Sequence, residues 1–248
     1  MKPIVVIVAG GLATRMQPIT EKIPKCLIDL DGKPLIQHQI EFLRDRGYTR
    51  FIFCVAHLAE KVEGYFGDGS SFGVEISYSQ ERGELLGTAG AIKLVEELLD
   101  ETFIVYYGDN LTTLDFDEAL RFHEKKKSDF TVIVRELPEG YKSSSIITLD
   151  LKNKIDTFLE KPSSEEFKKS QNKKRYINNG IYLMGEKALD LIPKNKKYDF
   201  ASQLIPKLIS GKCKVYAYVS NDFFKEIGRL EKYYKFKEDL EKRKEILE

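Results

Sequence analysis

The sequence predicts an α/β fold, three layers deep, with helices on both faces of a mainly parallel sheet. Two observations carry that expectation. Short apolar runs alternate with helical patterns over the first half of the chain, and each run is continuously apolar rather than alternating. A strand buried on both faces needs that continuity, because helices cover each side.

Taken in order, the first run occupies residues 4–8, and Ile36, Ile40 and Leu43 then share one helical face. A run at 51–55 is followed by a helical pattern over 58–66, a run at 74–78 by one over 91–99, and a run at 103–107 closes this half. Beyond residue 128 the pattern is less regular. Strands are expected at 130–134, 146–149, 155–158 and 181–184, with a last one at 215–219. Lysine-rich stretches at 125–127, 168–175 and 194–197 read as solvated faces, and the tail from Leu230 reads as a charged amphipathic helix. With no internal repeat and no linker, residues 1–248 are expected to form a single domain, and with no hexapeptide repeats no β-helix domain is expected.

The 248 residues suffice to bury a substantial core, and 42% hydrophobic with 32% charged residues describes a water-soluble globular protein. Forty basic against 39 acidic side chains create no global field for nucleic acid or an anionic membrane, so an anionic ligand must be held by local charge. No apolar run reaches the length of a membrane span. Cys26, Cys54 and Cys213 are scattered and odd in number, which argues against a disulfide framework or a zinc site and for reduced thiols in the cytoplasm. The three histidines, His38, His57 and His123, lie outside every motif and read as surface or satisfied helix residues.

The first strand runs directly into Ala9-Gly10-Gly11-Leu12-Ala13-Thr14-Arg15-Met16. Paired glycines let the backbone turn sharply and bring its N–H groups to a polyanion, and Arg15 can add a charge-assisted contact. A plain strand-to-loop turn would read the same locally. The dinucleotide fingerprint G-x-G-x-x-G and the P-loop pattern are both absent, so a phosphate-handling loop of another kind is required. Asp109, just past the run at 103–107, is placed where open α/β sheets bind ligands, though an Asx turn would also place it there. Taken alone, Thr88 reads as a helix cap and Glu160-Lys161 as a surface pair.

The order Gly-Gly-x-x-Thr-Arg-Met-x-Pro-x-Thr, then Pro24-Lys25-x-Leu27, then Gly32-Lys33-Pro34-Leu35-Ile36 resembles the sugar-1-phosphate nucleotidylyltransferases that make NDP-sugars. Further landmarks extend the resemblance over residues 3–235: Leu86-Gly87-Thr88-Ala89-Gly90-Ala91, Gly108-Asp109, Glu160-Lys161-Pro162, Asn178-Asn179-Gly180 and Glu226-Ile227-Gly228. The resemblance implies a Rossmann-like fold of the nucleotide-diphospho-sugar transferase type. It implies that Ala9, Gly10, Gly11, Thr14, Gly87, Thr88 and Ala89 hold the nucleotide, and that Arg15 and Lys25 are catalytic on its phosphates. Gly108, Glu160, Lys161, Asn178, Asn179 and Gly180 would hold the sugar phosphate, and Asp109 with Glu226 would bind Mg²⁺. Two departures stand out: relatives usually have glycine at Ala13, and many have aspartate at Glu226.

The implied substrates are a nucleoside triphosphate and a sugar-1-phosphate, with no nucleic-acid or membrane partner; a homo-oligomer is compatible with the resemblance. The Leu-Gly-Thr-Ala-Gly-Ala loop looks most like mannose- and heptose-1-phosphate guanylyltransferases, which favours GTP, then UTP, then dTTP. Two rival readings remain beside it. One is a glycosyltransferase that consumes an NDP-sugar, against which the glycine loop and Pro24-Lys25 argue. The other is a weakly catalytic, nucleotide-sugar-binding regulatory paralogue, kept open by Ala13 and Glu226.

Overall fold

The computed structural model describes residues 1–81, 83–138, 145–170 and 172–247, with side chains to residue 242. One position of the lysine-rich stretch at 168–175, Gln171, lies outside the described residues. The fold resolves into two compact units, each built from separated chain segments. The first comprises Met1–Gly83, Tyr107–Thr113 and Phe223–Glu248; the second comprises Glu84–Tyr106 and Leu114–Asp222.

In the first unit, strand Arg50–Val55 pairs in parallel with Val5–Val8 on one side and Glu75–Gln80 on the other. Phe51, Ile52, Phe53, Cys54 and Val55 are all buried, as a central strand covered on both faces requires. Helix Leu35–Arg44 buries Leu35, Ile36, Ile40 and Leu43 at helical spacing, and Ala59–Phe66 buries Ala59, Val62 and Phe66. The ribbon Asp29–Leu30 with Lys33–Pro34 turns through Asp31 and Gly32, both at positive φ (+58° and +78°), a pairing suited to an Asp-Gly hairpin.

The tail helix Leu230–Leu247 forms as expected and buries Tyr233 and Phe236, one turn apart, against Met16, Ile28, Leu30, Leu35 and Ile227. The expected last strand, Val215–Val219, is not the last. Phe224–Glu226 follows it and pairs antiparallel with Asn110–Thr112. At three residues, that strand is too short for periodicity to reveal.

In the second unit, strand Tyr176–Gly185 pairs antiparallel with Phe130–Glu136 and with Thr102 to Tyr106. Val215–Val219 joins Phe130–Glu136 in parallel, and Ser145–Leu149 pairs antiparallel with Ile155–Glu160 across a five-residue turn. Such a turn is too short for a crossover, so this pair has to be antiparallel. Rings of Phe130, Tyr182 and Phe200 pack together in the core with centroids 4.8–6.1 Å apart.

Helix Phe116–Lys126 is N-capped by Asp115, whose carboxylate accepts from the Glu118 N–H at 2.8 Å, and it carries acidic residues in its first turn and basic ones in its last. The helix expected over 91–99 instead runs Gly87–Lys93, with a separate single turn at Glu96–Leu98. The strand expected at 181–184 begins five residues earlier, at Tyr176. It absorbs the polar Asn178-Asn179-Gly180 through an irregularity in register between Asn178 and Tyr182, with Gly180 at φ +67°.

Candidate functional site

The glycine loop of the first unit is fixed at both ends and open between them. Ala9 N–H still donates to the Cys54 carbonyl at 2.9 Å, and Met16 is fully buried against Ile28, Leu30 and Leu35. Between these anchors, the N–H groups of Gly10, Gly11 and Leu12 meet no protein acceptor among the described residues. Unpaired backbone N–H groups in a tight turn form an anion-receptive surface. Gly10 is closely packed: a Cβ there would lie 3.3 Å from that of Ala56 and 3.5 Å from Glu81 Oε1.

Ala13 turns the chain through the left-handed region (φ +49°, ψ +37°), and its carbonyl accepts from Met16 N–H (2.8 Å) and Thr20 Oγ1 (3.0 Å). The turn Thr14–Met16 sinks Met16 and leaves Thr14 and Arg15 facing solvent. Arg15 has no ion-pair partner among the described residues.

Pro24 introduces the single turn Lys25–Leu27, which buries Cys26; burial pushes that thiol up to about 12. Lys25 Nζ donates to Asp109 Oδ2 in a tight ion pair. Asp109 is set by Gly108, whose N–H donates to the Val8 carbonyl at 2.9 Å and whose missing side chain would crowd Val8 and Ala9. Gly108 is thus packed beside the glycine loop and does not line the cavity of the second unit.

The ribbon that follows brings Glu226 opposite Asn110, and the Ile227 N–H donates to the Asp109 carbonyl at 2.8 Å. Glu226 Oε2 accepts from Lys232 Nζ at 2.5 Å. Asp109 and Glu226 are therefore held on neighbouring steps of one ribbon, both partly exposed. Among the described residues no three His, Cys, Asp or Glu side chains gather as a metal cage. Two carboxylate donors, completed by phosphate oxygens or water, would fit a hard divalent cation.

Sequence reasoning passes over two residues here. Gln39, 2% exposed, donates Nε2–H to the Asn110 carbonyl and so braces the ribbon from helix Leu35–Arg44. Lys232 sits in the charged tail helix, where nothing in the pattern distinguishes it from its neighbours.

The second unit holds a cavity of about 460 Å³, lined by Gly87, Glu160, Lys161, Lys197, Asp199, Ser202 and Gln203. Glu160 ends strand Ile155–Glu160. Lys161 then takes φ +49° directly before Pro162, a combination disfavoured both for a residue with a side chain and for one preceding proline. Burial raises the Glu160 carboxyl above its ordinary range; Lys161 opposes that shift and Asp199 adds to it. Lys161 and Lys197 have no salt bridge among the described residues.

The Leu86–Gly90 motif earns its glycines by packing. A Cβ on Gly87 would stand 2.7 Å from the Tyr198 carbonyl, and one on Gly90 2.9 Å from the Lys196 carbonyl. The N–H groups of Ala89 and Gly90 both donate to Tyr198 O at 3.0 Å. Thr88 does not cap the helix; its hydroxyl donates to Asp199 Oδ2 (2.7 Å) and accepts from Phe200 N–H (3.0 Å). The motif thus clasps residues 196–199 and carries Lys197 and Asp199 to the cavity. Gly87 reaches the cavity wall, while Ala89 is fully buried.

Asn178, Asn179 and Gly180 do not line the cavity. Asn178 donates to Tyr182 Oη at 2.7 Å and accepts from Gly180 N–H at 2.9 Å, and buried Asn179 accepts from Arg135 at 2.9 Å.

The profile of the family described as nucleotidyl transferase matches residues 4–243. A UTP–glucose-1-phosphate uridylyltransferase of Synechocystis sp. is 38% identical over 241 residues, which cover 92% of this chain and 61% of that protein. A probable mannose-1-phosphate guanylyltransferase of Oryza sativa subsp. japonica is 31% identical over 232 residues, covering 92% of this chain and 62% of the relative. The chain thus spans about three fifths of the length of these curated relatives.

Among solved structures, HddC from Yersinia pseudotuberculosis, complexed with GMP-PN, superposes with a TM-score of 0.79 at 26% identity, covering 96% of this chain and all of that one. A putative glucose-1-phosphate thymidylyltransferase from Bacillus anthracis, at 21% identity and a TM-score of 0.77, shares the fold. That fold is the α/β class, a mainly parallel mixed sheet flanked by helices. Among the described residues no helix is long and apolar enough to cross a membrane.

Proposed function

This chain belongs to the nucleotidyl transferase family, and from that premise we propose that it joins a nucleoside triphosphate to a sugar-1-phosphate and releases pyrophosphate. The observation that carries the reading lies in the first unit, where, among the described residues, the Gly10, Gly11 and Leu12 N–H groups meet no protein acceptor, Arg15 has no ion-pair partner, and Lys25 pairs with Asp109. A phosphate oxygen of the sugar phosphate forms a bond to the α-phosphorus. The bond from that phosphorus to the bridging oxygen breaks, and pyrophosphate leaves with the electron pair. No covalent enzyme intermediate is required, so positioning and charge neutralisation are the protein's main tasks.

The N–H groups of Gly10 and Gly11 and the Thr14 hydroxyl cradle the triphosphate, and Arg15 neutralises the departing pyrophosphate. Lys25, released from Asp109, turns to the phosphates at the reacting centre. Asp109 and Glu226 would hold a divalent cation, Mg²⁺ in this reading, which when bound supplies Lewis-acid charge neutralisation to the phosphate oxygens. In the second unit Lys161 and Lys197 orient the sugar phosphate, and Glu160 accepts from sugar hydroxyls. Gly87, Thr88 and Ala89 would hold the nucleotide, as the resemblance implies, and Gly87 also lines that cavity. Residues 1–248 act as one catalytic domain in this reading, working in the cytoplasm where nucleoside triphosphates are abundant.

The base is the point at which two readings compete. The motif over residues 86–91 favours GTP; the 38% identity to a uridylyltransferase, against 31% to a guanylyltransferase, favours UTP. Pyrophosphate release with Mg²⁺, scanned over four triphosphates and a panel of sugar-1-phosphates, decides. Release that demands one triphosphate and one sugar phosphate together supports the proposal and names both. Silence from folded protein that still binds a nucleotide sugar by calorimetry overturns it in favour of a regulatory paralogue.

A further inference from the structure

We propose that Lys232 is a positioning residue: it holds Glu226 until a divalent cation takes that carboxylate, and thereby sets how tightly the first unit binds the cation. The inference rests on the reading of Glu226 as a metal ligand. Three observations support it. The Lys232 ammonium lies 2.5 Å from Glu226 Oε2, with both side chains about one third exposed.

The carboxylate is also folded back toward the tail helix: Glu226 Oε1 sits 2.5 Å from where a Cβ on residue 228 would be, a space left open by Gly228. Glutamate, one methylene longer than aspartate, has the reach for this fold-back. The backbone at Lys232 is anchored, because its neighbour Tyr233 is buried and donates its hydroxyl to the Asp29 carbonyl at 2.7 Å. The other lysine next to Glu226 is engaged elsewhere, since Lys225 lies over the Phe236 ring at 5.2 Å.

A cation binding at Glu226 has to displace this ammonium and is repelled by it. Removing the charge at residue 232 therefore tightens metal binding. The pair is solvent-screened, so the expected gain is modest, about three- to tenfold in dissociation constant, shrinking as salt is raised.

The test uses the full chain without substrates: Mn²⁺ is titrated and free Mn²⁺ is read by electron paramagnetic resonance. The proteins are wild type, Lys232→Met, Lys232→Arg, Glu226→Gln and the Lys232→Met/Glu226→Gln double variant. Lys232→Met is expected to bind tighter, Lys232→Arg to match wild type, and the double variant to match Glu226→Gln. A folding defect would weaken binding, so tightening cannot arise from it. Unchanged or weaker binding by Lys232→Met, with Glu226→Gln clearly impaired, overturns the proposal alone. If Glu226→Gln binds like wild type, or wild type binds no Mn²⁺, the ligand reading itself fails and the proposal with it.

Discussion

In the first unit the charges around the ribbon are already paired: Lys25 with Asp109 and Lys232 with Glu226. In the second unit Lys161 and Lys197 line a cavity with no ion-pair partner among the described residues, beside a carboxyl that burial holds above its usual range. Paired charges are neutral at rest and must exchange partners when ligands arrive, whereas open cations can take a dianion without rearrangement. Under the proposed function, this difference puts the chemical step in the first unit and sugar-phosphate binding in the second. In that reading a lysine of the first unit would deliver its charge during reaction, while the fold of the second gathers its cations in advance.

The largest effect should follow from breaking the first pattern. Lys25→Ala is expected to lower kcat by about 10²–10³, the loss typical of one strong transition-state contact, with little change in the KM for the sugar phosphate. Steady-state pyrophosphate release checks this; near-normal turnover would remove Lys25 from the chemistry. Lys161→Ala should do the reverse, raising the KM for the sugar phosphate about 10- to 100-fold through loss of a charge-assisted contact. Lys197→Ala should raise it a few-fold. Equal losses of kcat in Lys25→Ala and Lys161→Ala would erase the proposed division of labour.

That contrast also governs what a sequence reveals. The first unit's loop is contiguous, so its residues could be read directly: Gly10, Gly11, Arg15 and Lys25 stand in one short segment after one strand, and the ion pair to Asp109 fits their expected neighbourhood. The cavity residues are assembled from three distant segments. Lys197 reads as part of a solvated lysine stretch, because its position depends on the clasp between Gly87 and Tyr198, more than 100 residues apart in sequence. Gln39 and Lys232 are silent for a related reason: each acts through one side-chain contact that leaves no periodic trace. Asn178-Asn179-Gly180 misleads in the opposite direction, since a polar triplet reads as a strand's prelude while the register irregularity places it inside the strand.

A smaller, purely structural contrast concerns pH. His123, expected as an unremarkable helix histidine, is 4% exposed, and its Nδ1 lies 2.8 Å from Thr131 Oγ1, which donates in turn to Ser128 Oγ at 3.0 Å. Burial pushes its pKa down to about 4 from 6.5, with Asp129 only partly opposing. Between those values the unfolded chain binds a proton that the folded chain refuses, so stability is full above 6.5 and falls as pH drops toward 4. The loss is on the order of 3 kcal/mol. Urea unfolding followed over this range should show a weaker pH dependence in His123→Gln than in wild type. Parallel curves would mean that the imidazole is not the group responsible.

The smallest predicted effect addresses the departure at Ala13. Its φ of +49° lies in the left-handed region, where a Cβ crowds the following carbonyl and glycine does not. The residue is kept there by what surrounds it: its carbonyl holds both the Met16 N–H and the Thr20 hydroxyl, and Met16 is locked in the core. Ala13→Gly should relieve the strain and stabilise the first unit by up to about 1 kcal/mol, less the entropy glycine adds to the unfolded chain. A higher urea midpoint at unchanged slope checks the sign. Turnover separates two meanings of the alanine. If Ala13→Gly leaves kcat unaltered, the strain is incidental to catalysis. If kcat falls while stability rises, the methyl group stiffens the loop that presents the N–H groups of Gly10 and Gly11, and the chain has exchanged a little stability for a more rigid phosphate cradle.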